Sequence, residues 1–157
     1  MDDETLIGHN MASRWTEDDI QSKGKKMTEQ PHESILTIAQ WHEKTFPDAT
    51  LKTQTEKFKD ELKELSDAAD TGDVKQVFFE LADCAIVAAG LCRWGMAGAK
   101  AFHTVVQTVE QIELTGDVDP KVLFMTAIDQ KMEINRKRKW NNDHGKYQHI
   151  EQGGNNE

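Results

Sequence analysis

The chain has 157 residues, of which 19 are basic and 28 acidic, and its formal net charge at pH 7 is −9. A chain of this length forms one domain and can bury a substantial core. The negative charge argues against nonspecific binding to nucleic acid or to an anionic membrane surface, because phosphate groups would be repelled. We therefore expect partners that include no nucleic acid and no membrane.

Both ends of the chain have the composition of tails. Residues 1–32 and 143–157 are polar and lack a sustained apolar period. We predict a flexible tail in each of these segments and a single helical domain over residues 33–142. The start of the sequence has no basic segment followed by a long apolar run, so we expect no secretory signal and a cytoplasmic protein.

The first three predicted helices follow one another closely. Ser34 is a good N-cap for a helix over residues 35–46, which Pro47 ends. A second helix over residues 55–70 has an apolar stripe at helical spacing. A third, over residues 74–94, is apolar on nearly every side, which is typical of a helix at the centre of a bundle.

Two further helices are predicted beyond the central one. The fourth covers residues 101–114 and is ended by a turn at Gly116, and Pro120 opens a fifth that runs to residue 140. No segment has a convincing strand pattern. We therefore predict an all-α fold, a bundle of about five helices that oligomerisation completes.

Two pairs of acidic residues stand on the second and third predicted helices. The four are Glu61, Glu64, Glu80 and Asp83. Each pair has i, i+3 spacing, so its members share one helix face. Because Gly72 lets the chain reverse, antiparallel packing brings both pairs to the same level. The second pair holds the only charges of the apolar segment 76–92. Buried carboxylates are costly unless they are paired, protonated or bound to a metal.

The acidic pairs have two interpretations. Four converging carboxylates can ligate a hard divalent cation such as Mg²⁺ or Mn²⁺. Alternatively, an acid-rich helical chain produces such pairs by chance, as at Glu110 and Glu113, and the pair of Glu61 and Glu64 alone would be a solvated face. A di-iron centre is disfavoured, because the chain's one Glu-x-x-His spacing lies in the N-terminal tail.

A basic segment ends the fifth predicted helix. Lys131, Asn135 and Arg138 fall at i, i+4 and i+7 and share one face. This trio favours a phosphate clamp, although cations at a helix C-terminus are also stabilising by themselves. Trp41 on the first helix can stack on a nucleobase or fill the core.

The remaining candidates give weaker signals. His42, His103 and His144 show no metal-ligand spacing, and we expect them on the surface, in the core and in the tail, respectively. Cys84 and Cys92 have the surroundings of core thiols and no activating partner, so nucleophilic catalysis has little support.

The motifs ELKE at 61–64 and ELAD at 80–83, followed by the segment KMEINRKRKW, resemble the signature of the MazG-like all-α nucleoside triphosphate pyrophosphohydrolases. The resemblance covers residues 34–142. The segments AQWHEKTFPD and NRKRKW are similar to the phage and bacterial subgroup described as dATP/dGTP diphosphohydrolases. A phage-encoded member would act in the host cytoplasm.

The resemblance implies a dimer or tetramer that hydrolyses a (deoxy)nucleoside triphosphate, with dGTP or dATP preferred, to the monophosphate and pyrophosphate. It also implies dependence on Mg²⁺ or Mn²⁺. The metal-binding and catalytic residues would be Glu61, Glu64, Glu80 and Asp83, with Glu61 orienting or deprotonating water, and the substrate-binding residues would be Lys131, Asn135, Arg138 and Trp41. Two alternatives stay open: a dUTP or dCTP pyrophosphohydrolase, and a non-catalytic helical interaction module.

Overall fold

The computed structural model describes residues 31–150, and within that range the chain forms five α-helices and one β-hairpin. The elements are α1 (Ile35–Thr45), α2 (Leu51–Thr71), α3 (Val74–Leu91), α4 (Met96–Glu110), α5 (Pro120–Lys137), β1 (Trp140–Asp143) and β2 (Lys146–His149). A short 3-10 turn, Cys92–Trp94, joins α3 to α4. The prediction of a mainly helical fold is confirmed. The tail predicted over residues 1–32 falls almost wholly outside the described residues.

Reciprocal caps set the start of the first two helices. The Ser34 side chain accepts a hydrogen bond from the Thr37 amide, and the Thr37 side chain accepts one from the Ser34 amide. Thr50 and Thr53 repeat this arrangement at α2. Each cap satisfies two amides that have no partner inside the helix. Because of the second cap, α2 begins at Leu51 instead of the predicted residue 55. The first turn of the helix is polar, so the sequence showed no apolar period there.

The central position predicted for the third helix is confirmed, since α3 packs against each of the other four helices. Phe78 and Leu81 of α3 are fully buried, together with Ile38 of α1 and Met132 of α5. Burial of a side chain of this size contributes about 1.5–3 kcal/mol, so the core around α3 accounts for much of the stability of the bundle. Among the described residues, no helix combines the length and apolarity that crossing a bilayer requires.

Two helix boundaries differ from the prediction. Helix α4 begins at Met96, directly after Gly95, and ends at Glu110 instead of residue 114. Its first turn is rich in small residues and therefore shows no apolar stripe. Helix α5 ends at Lys137 instead of residue 140, because Arg138 adopts an extended conformation with ψ 147°.

The segment after α5 is a hairpin, which corrects the predicted absence of strands and, over residues 143–150, the predicted flexible tail. The remainder of that tail, residues 151–157, lies outside the described residues. Strands β1 and β2 pair in antiparallel register from Trp140 with His149 to Asp143 with Lys146. His144 and Gly145 form the turn, both with positive φ, which is the requirement of the tight turns that suit the twist of a hairpin. The strands are polar and lack the alternation of apolar and polar residues that predicts a strand, so the sequence did not indicate them.

The hairpin is held by contacts with the segment between α1 and α2. The Asn142 side-chain amide donates to the Asp48 carboxylate at 2.9 Å. The ring of Tyr147 lies 4.7 Å from that of Phe46 between centroids. A Cβ at Gly145 would lie 2.6 Å from the Asp48 carbonyl oxygen. These contacts fix the hairpin beside α2 although its own strands have weak β propensity.

Candidate functional site

Three of the four predicted acids come together on adjoining faces of α2 and α3. One carboxylate oxygen from each of Glu61, Glu64 and Glu80 lies within 4.8 Å of the others. Glu61 and Glu80 are 5% and 6% exposed, whereas Glu64 is exposed to solvent. The turn at Gly72, with φ 69°, reverses the chain and produces this convergence, as expected from the sequence. We call these three residues the acidic trio.

The Glu80 carboxylate is only half satisfied. Its Oε1 atom accepts a hydrogen bond from the Gln76 side-chain amide. Its Oε2 atom is buried, and no donor within the described residues reaches it. A buried carboxylate oxygen without a partner costs free energy that the fold must recover elsewhere. A cation bound by the acidic trio would supply the missing partner.

Lys57 is a member of the site that the sequence reasoning missed. Its Nζ atom lies 2.5 Å from Oε1 of Glu61, one helical turn further along α2. Burial opposes the charge of Lys57, but Glu61, Glu64 and Asp83 outweigh it and raise the pKa of the lysine. The i, i+4 spacing of Lys57 and Glu61 was the available signal.

Asp83 does not join the acidic trio but faces α5. Its Oδ2 atom lies 2.5 Å from Lys131 Nζ, and both side chains are 19% exposed. Burial raises the pKa of Asp83 to about 6, Lys131 opposes the rise, and the charges of Glu61 and Glu80 add to it. Asp83, predicted to bind metal, is thus paired with Lys131, predicted to bind phosphate.

The net charge of the site is suited to a divalent cation. Four carboxylates and two ammonium groups carry two net negative charges when all are ionised. Burial first, and then the charges of Glu61 and Glu80, raise the pKa of Glu64. Carboxylate oxygens are the ligands that Mg²⁺ and Mn²⁺ prefer. The residues present therefore fit such an ion.

The acids line an open cleft of about 780 Å³. All the site residues predicted from the sequence lie along it: Glu61, Glu64, Glu80, Asp83, Lys131, Asn135, Arg138 and Trp41. Asn135 is buried, and its Oδ1 atom accepts a hydrogen bond from Arg138 Nη1 at 3.2 Å. Asn135 therefore positions the Arg138 guanidinium, which contacts no carboxylate within the described residues.

Aromatic rings form a second part of the cleft wall. Trp41 and Trp140 meet edge to face with centroids 6.3 Å apart, and Phe46 lies 5.0 Å from Trp140. Trp41 is half-buried and packs against the hydrophobic core, and it also lines the cleft. Half-exposed rings of this kind offer stacking surfaces for a planar ligand.

His42, predicted on the surface, is buried beside this aromatic wall. Arg93 Nη1 lies 3.2 Å from His42 Nδ1, and because arginine only donates, Nδ1 must accept and Nε2 carries the proton. Burial lowers the pKa of His42 to about 4, a hydrogen bond with Gln54 opposes the shift, and the charge of Arg93 adds to it. Arg93, the hydrogen-bond partner of the buried His42, lies 51 positions away in the sequence. The sequence around His42 therefore gave no indication that it is buried.

Two other predictions for single residues have different outcomes. His103, predicted in the core, is exposed on α4, because the buried face of that helix is formed by Gly98, Val105 and Val109. Cys84 is buried as expected. Burial and the nearby acids raise the pKa of Cys84 to about 12, so its thiol stays protonated and unreactive.

The hairpin contributes cleft residues that the sequence analysis had placed in a tail. Gly145, Lys146, Tyr147 and His149 line the cleft. Lys146 Nζ lies 3.2 Å from Oδ2 of Asp60 on α2, at the side of the cleft that the hairpin forms. The sequence signal was the two-residue turn His-Gly between short segments that contain Trp140 and Tyr147.

Comparisons of the chain with protein-family models, with curated proteins and with solved structures give no match. The cleft combines carboxylates suited to a hard cation, an arginine that faces no acid within the described residues, and aromatic rings suited to a planar group.

Proposed function

We propose that this chain is a MazG-like enzyme that hydrolyses a (deoxy)nucleoside triphosphate, preferably dGTP or dATP, to the monophosphate and pyrophosphate with Mg²⁺ or Mn²⁺. The observation that carries the proposal is the buried, unpartnered Oε2 atom of Glu80 within the acidic trio. Acids alone are common on helical proteins, but a buried carboxylate oxygen without a donor calls for a cation. The resemblance of the ELKE and ELAD motifs supports the same reaction.

In this proposal Glu61, Glu64 and Glu80 hold the cation, and Asp83 stays paired with Lys131. A bound divalent cation supplies charge neutralisation for the triphosphate and lowers the pKa of a bound water. Gln76 donates to one oxygen of Glu80 and so fixes the other in the site. Lys57 pairs with Oε1 of Glu61, and Glu61 retains its second oxygen for orienting water.

The remaining cleft residues bind the substrate. Arg138 presents a planar fork for phosphate oxygens, held in place by Asn135. Lys131 neutralises Asp83 and places a positive charge between the acids and the phosphates. Trp41 and Trp140 offer ring surfaces for the base. This arrangement explains why one cleft contains both an acidic and an aromatic part.

The proposed enzyme is a cytoplasmic homo-oligomer, a dimer or a tetramer. Leu36, Leu51 and Met96 are large apolar side chains that are at least half exposed in the single chain, and contacts between subunits would cover such groups. Sedimentation equilibrium measures the oligomer directly. A monomer at micromolar concentration would contradict this part of the proposal.

The test is pyrophosphate release, measured as phosphate after coupling to a pyrophosphatase. The panel contains dATP, dGTP, dCTP, dTTP and dUTP, each with Mg²⁺, with Mn²⁺ and with EDTA. We expect metal-dependent release from dGTP or dATP. Release from dUTP or dCTP would identify the alternative substrate class. No release from any nucleotide, with a melting temperature that Mg²⁺ leaves unchanged, would favour the interaction module.

A further inference from the structure

The cations of the cleft differ in what holds them. Within residues 31–150, the lysine and arginine side chains that line it are Lys57, Lys63, Lys131, Arg138 and Lys146. Lys57 and Lys131 each lie 2.5 Å from a carboxylate of the site itself. Lys146 instead pairs at 3.2 Å with Asp60, which lies outside the acidic trio. The five cations are therefore not equally free to bind an incoming anion.

Lys57 and Lys131 are poorly suited to leave their partners. Withdrawal of either ammonium group would leave a buried or partly buried carboxylate without its countercharge, which is strongly unfavourable. The Asp60 side chain is 52% exposed, so water can solvate it when Lys146 moves away. Exposed ion pairs of this kind contribute little to stability.

Lys63 is excluded by its exposure. Its side chain is 76% exposed and pairs with Asp67 on the same helix, so solvent and salt would screen its interaction with a ligand. The Lys146 side chain is 36% exposed and stands between the hairpin and α2. Partial burial strengthens a contact between an ammonium group and a phosphate.

We infer that Lys146 binds phosphate oxygens of the ligand together with Arg138, and that the C-terminal hairpin is therefore part of the substrate-binding site. The inference rests on the proposed function, because a triphosphate is the ligand that the cleft is proposed to accept. On binding, the Lys146 ammonium group exchanges the Asp60 carboxylate for a phosphate oxygen. The hairpin turn at Gly145, buried against Asp48, keeps Lys146 at the cleft.

Two variants with opposite expected effects test the inference. Inorganic tripolyphosphate with Mg²⁺ is the probe, and isothermal titration calorimetry measures its affinity for the full chain. We expect Lys146→Met to weaken binding by roughly tenfold, the loss of one charge-assisted hydrogen bond. Asp60→Asn removes the competing carboxylate and should tighten binding by about two- to fivefold. Lys139→Met, an exposed change of the same charge outside the cleft, should change the affinity by less than about twofold.

A purely structural role for the ion pair predicts a different pattern. If the pair only ties the hairpin to α2, Lys146→Met and Asp60→Asn break the same contact and weaken binding equally, and that result would overturn the inference. Unchanged affinity in Lys146→Met, or no binding of tripolyphosphate by the unaltered protein, would overturn it too. Failure of the proposed function is seen separately, as absence of pyrophosphate release by the unaltered protein.

Discussion

Lys131 Nζ lies 2.5 Å from Oδ2 of Asp83, so a cation of α5 neutralises an acid of α3 in the wall of the cleft. The sequence motifs suggested separate ligands for these two residues, phosphate for the lysine and metal for the aspartate. Their pairing links the acidic part of the site to the basic segment at the end of α5. We also expect this pairing to contribute measurably to the free energy of unfolding.

A double-mutant cycle of Lys131→Met and Asp83→Asn measures this contribution. We expect each single change to lower the free energy of unfolding by about 1–3 kcal/mol and the pair to show a coupling of about 1–2 kcal/mol. Urea unfolding provides the values. The exposed pair of Lys63 and Asp67 is the control and should show almost no coupling. Strict additivity of Lys131→Met and Asp83→Asn would show that the two charges do not interact.

Glu80→Gln tests the unpartnered oxygen. The amide removes the buried charge that a cation is proposed to satisfy, so Mg²⁺ should no longer raise the melting temperature. At 100 times its Kd, a bound ion adds about 2.7 kcal/mol to the unaltered protein. Pyrophosphate release should fall by about 100-fold or more. Glu113→Gln, an exposed change of the same chemistry, should leave both measurements unchanged. Full activity of the Glu80→Gln variant would show that Glu80 does not take part in the reaction.

His42 should make the fold sensitive to acid. Its pKa in the folded chain is about 4, below the ordinary 6.5. Between these two values the unfolded chain binds a proton that the folded chain does not, so the free energy of unfolding decreases as the pH falls. We expect a loss on the order of 3 kcal/mol from pH 7 to pH 4. This contribution is fully present above pH 6.5.

The difference between the unaltered protein and His42→Gln isolates this contribution from the titration of the acids. Urea unfolding at intervals between pH 4 and pH 7 should give a shallower slope for His42→Gln. His103→Gln, on the exposed face of α4, should keep the slope of the unaltered protein. Identical slopes for all three proteins would mean that folding does not lower the pKa of His42.

Gly145→Ala tests how tightly the hairpin is docked. Gly145 has φ 84°, and an added Cβ would lie 2.6 Å from the Asp48 carbonyl oxygen. Gly116 has nearly the same φ, 83°, but an added Cβ there meets nothing within 4 Å. We expect a loss of about 1 kcal/mol in Gly116→Ala from backbone strain alone and about 2–4 kcal/mol in Gly145→Ala. Equal losses in urea unfolding would indicate a hairpin that is not held against Asp48.

The helices and the meeting of the acids were predictable because their causes are local. Ser34 caps α1, Pro120 opens α5, and Gly72 reverses the chain between α2 and α3. Such residues act within a few positions of themselves. Once α2 and α3 form a reversed pair, the equal distance of Glu64 and Glu80 from the turn brings them to one level.

The other parts of the site depend on residues far apart in the chain. The partner of Lys131 is 48 positions away, and Arg93 reaches His42 across 51 positions. The polar strands of the hairpin are stabilised by two contacts with the segment between α1 and α2. Tyr147 packs against Phe46, and Asn142 donates a hydrogen bond to Asp48. Periodicity within one segment contains no information on such contacts.

The most direct test of the proposed reaction is the identity of its products. dGTP is incubated with the unaltered protein and Mg²⁺, with the unaltered protein and EDTA, and with Glu80→Gln and Mg²⁺, and the products are separated by anion-exchange chromatography. We expect dGMP and pyrophosphate in the first sample and nearly intact dGTP in the other two. Intact dGTP in all three, or dGDP and phosphate in the first, would contradict a pyrophosphohydrolase that acts on dGTP.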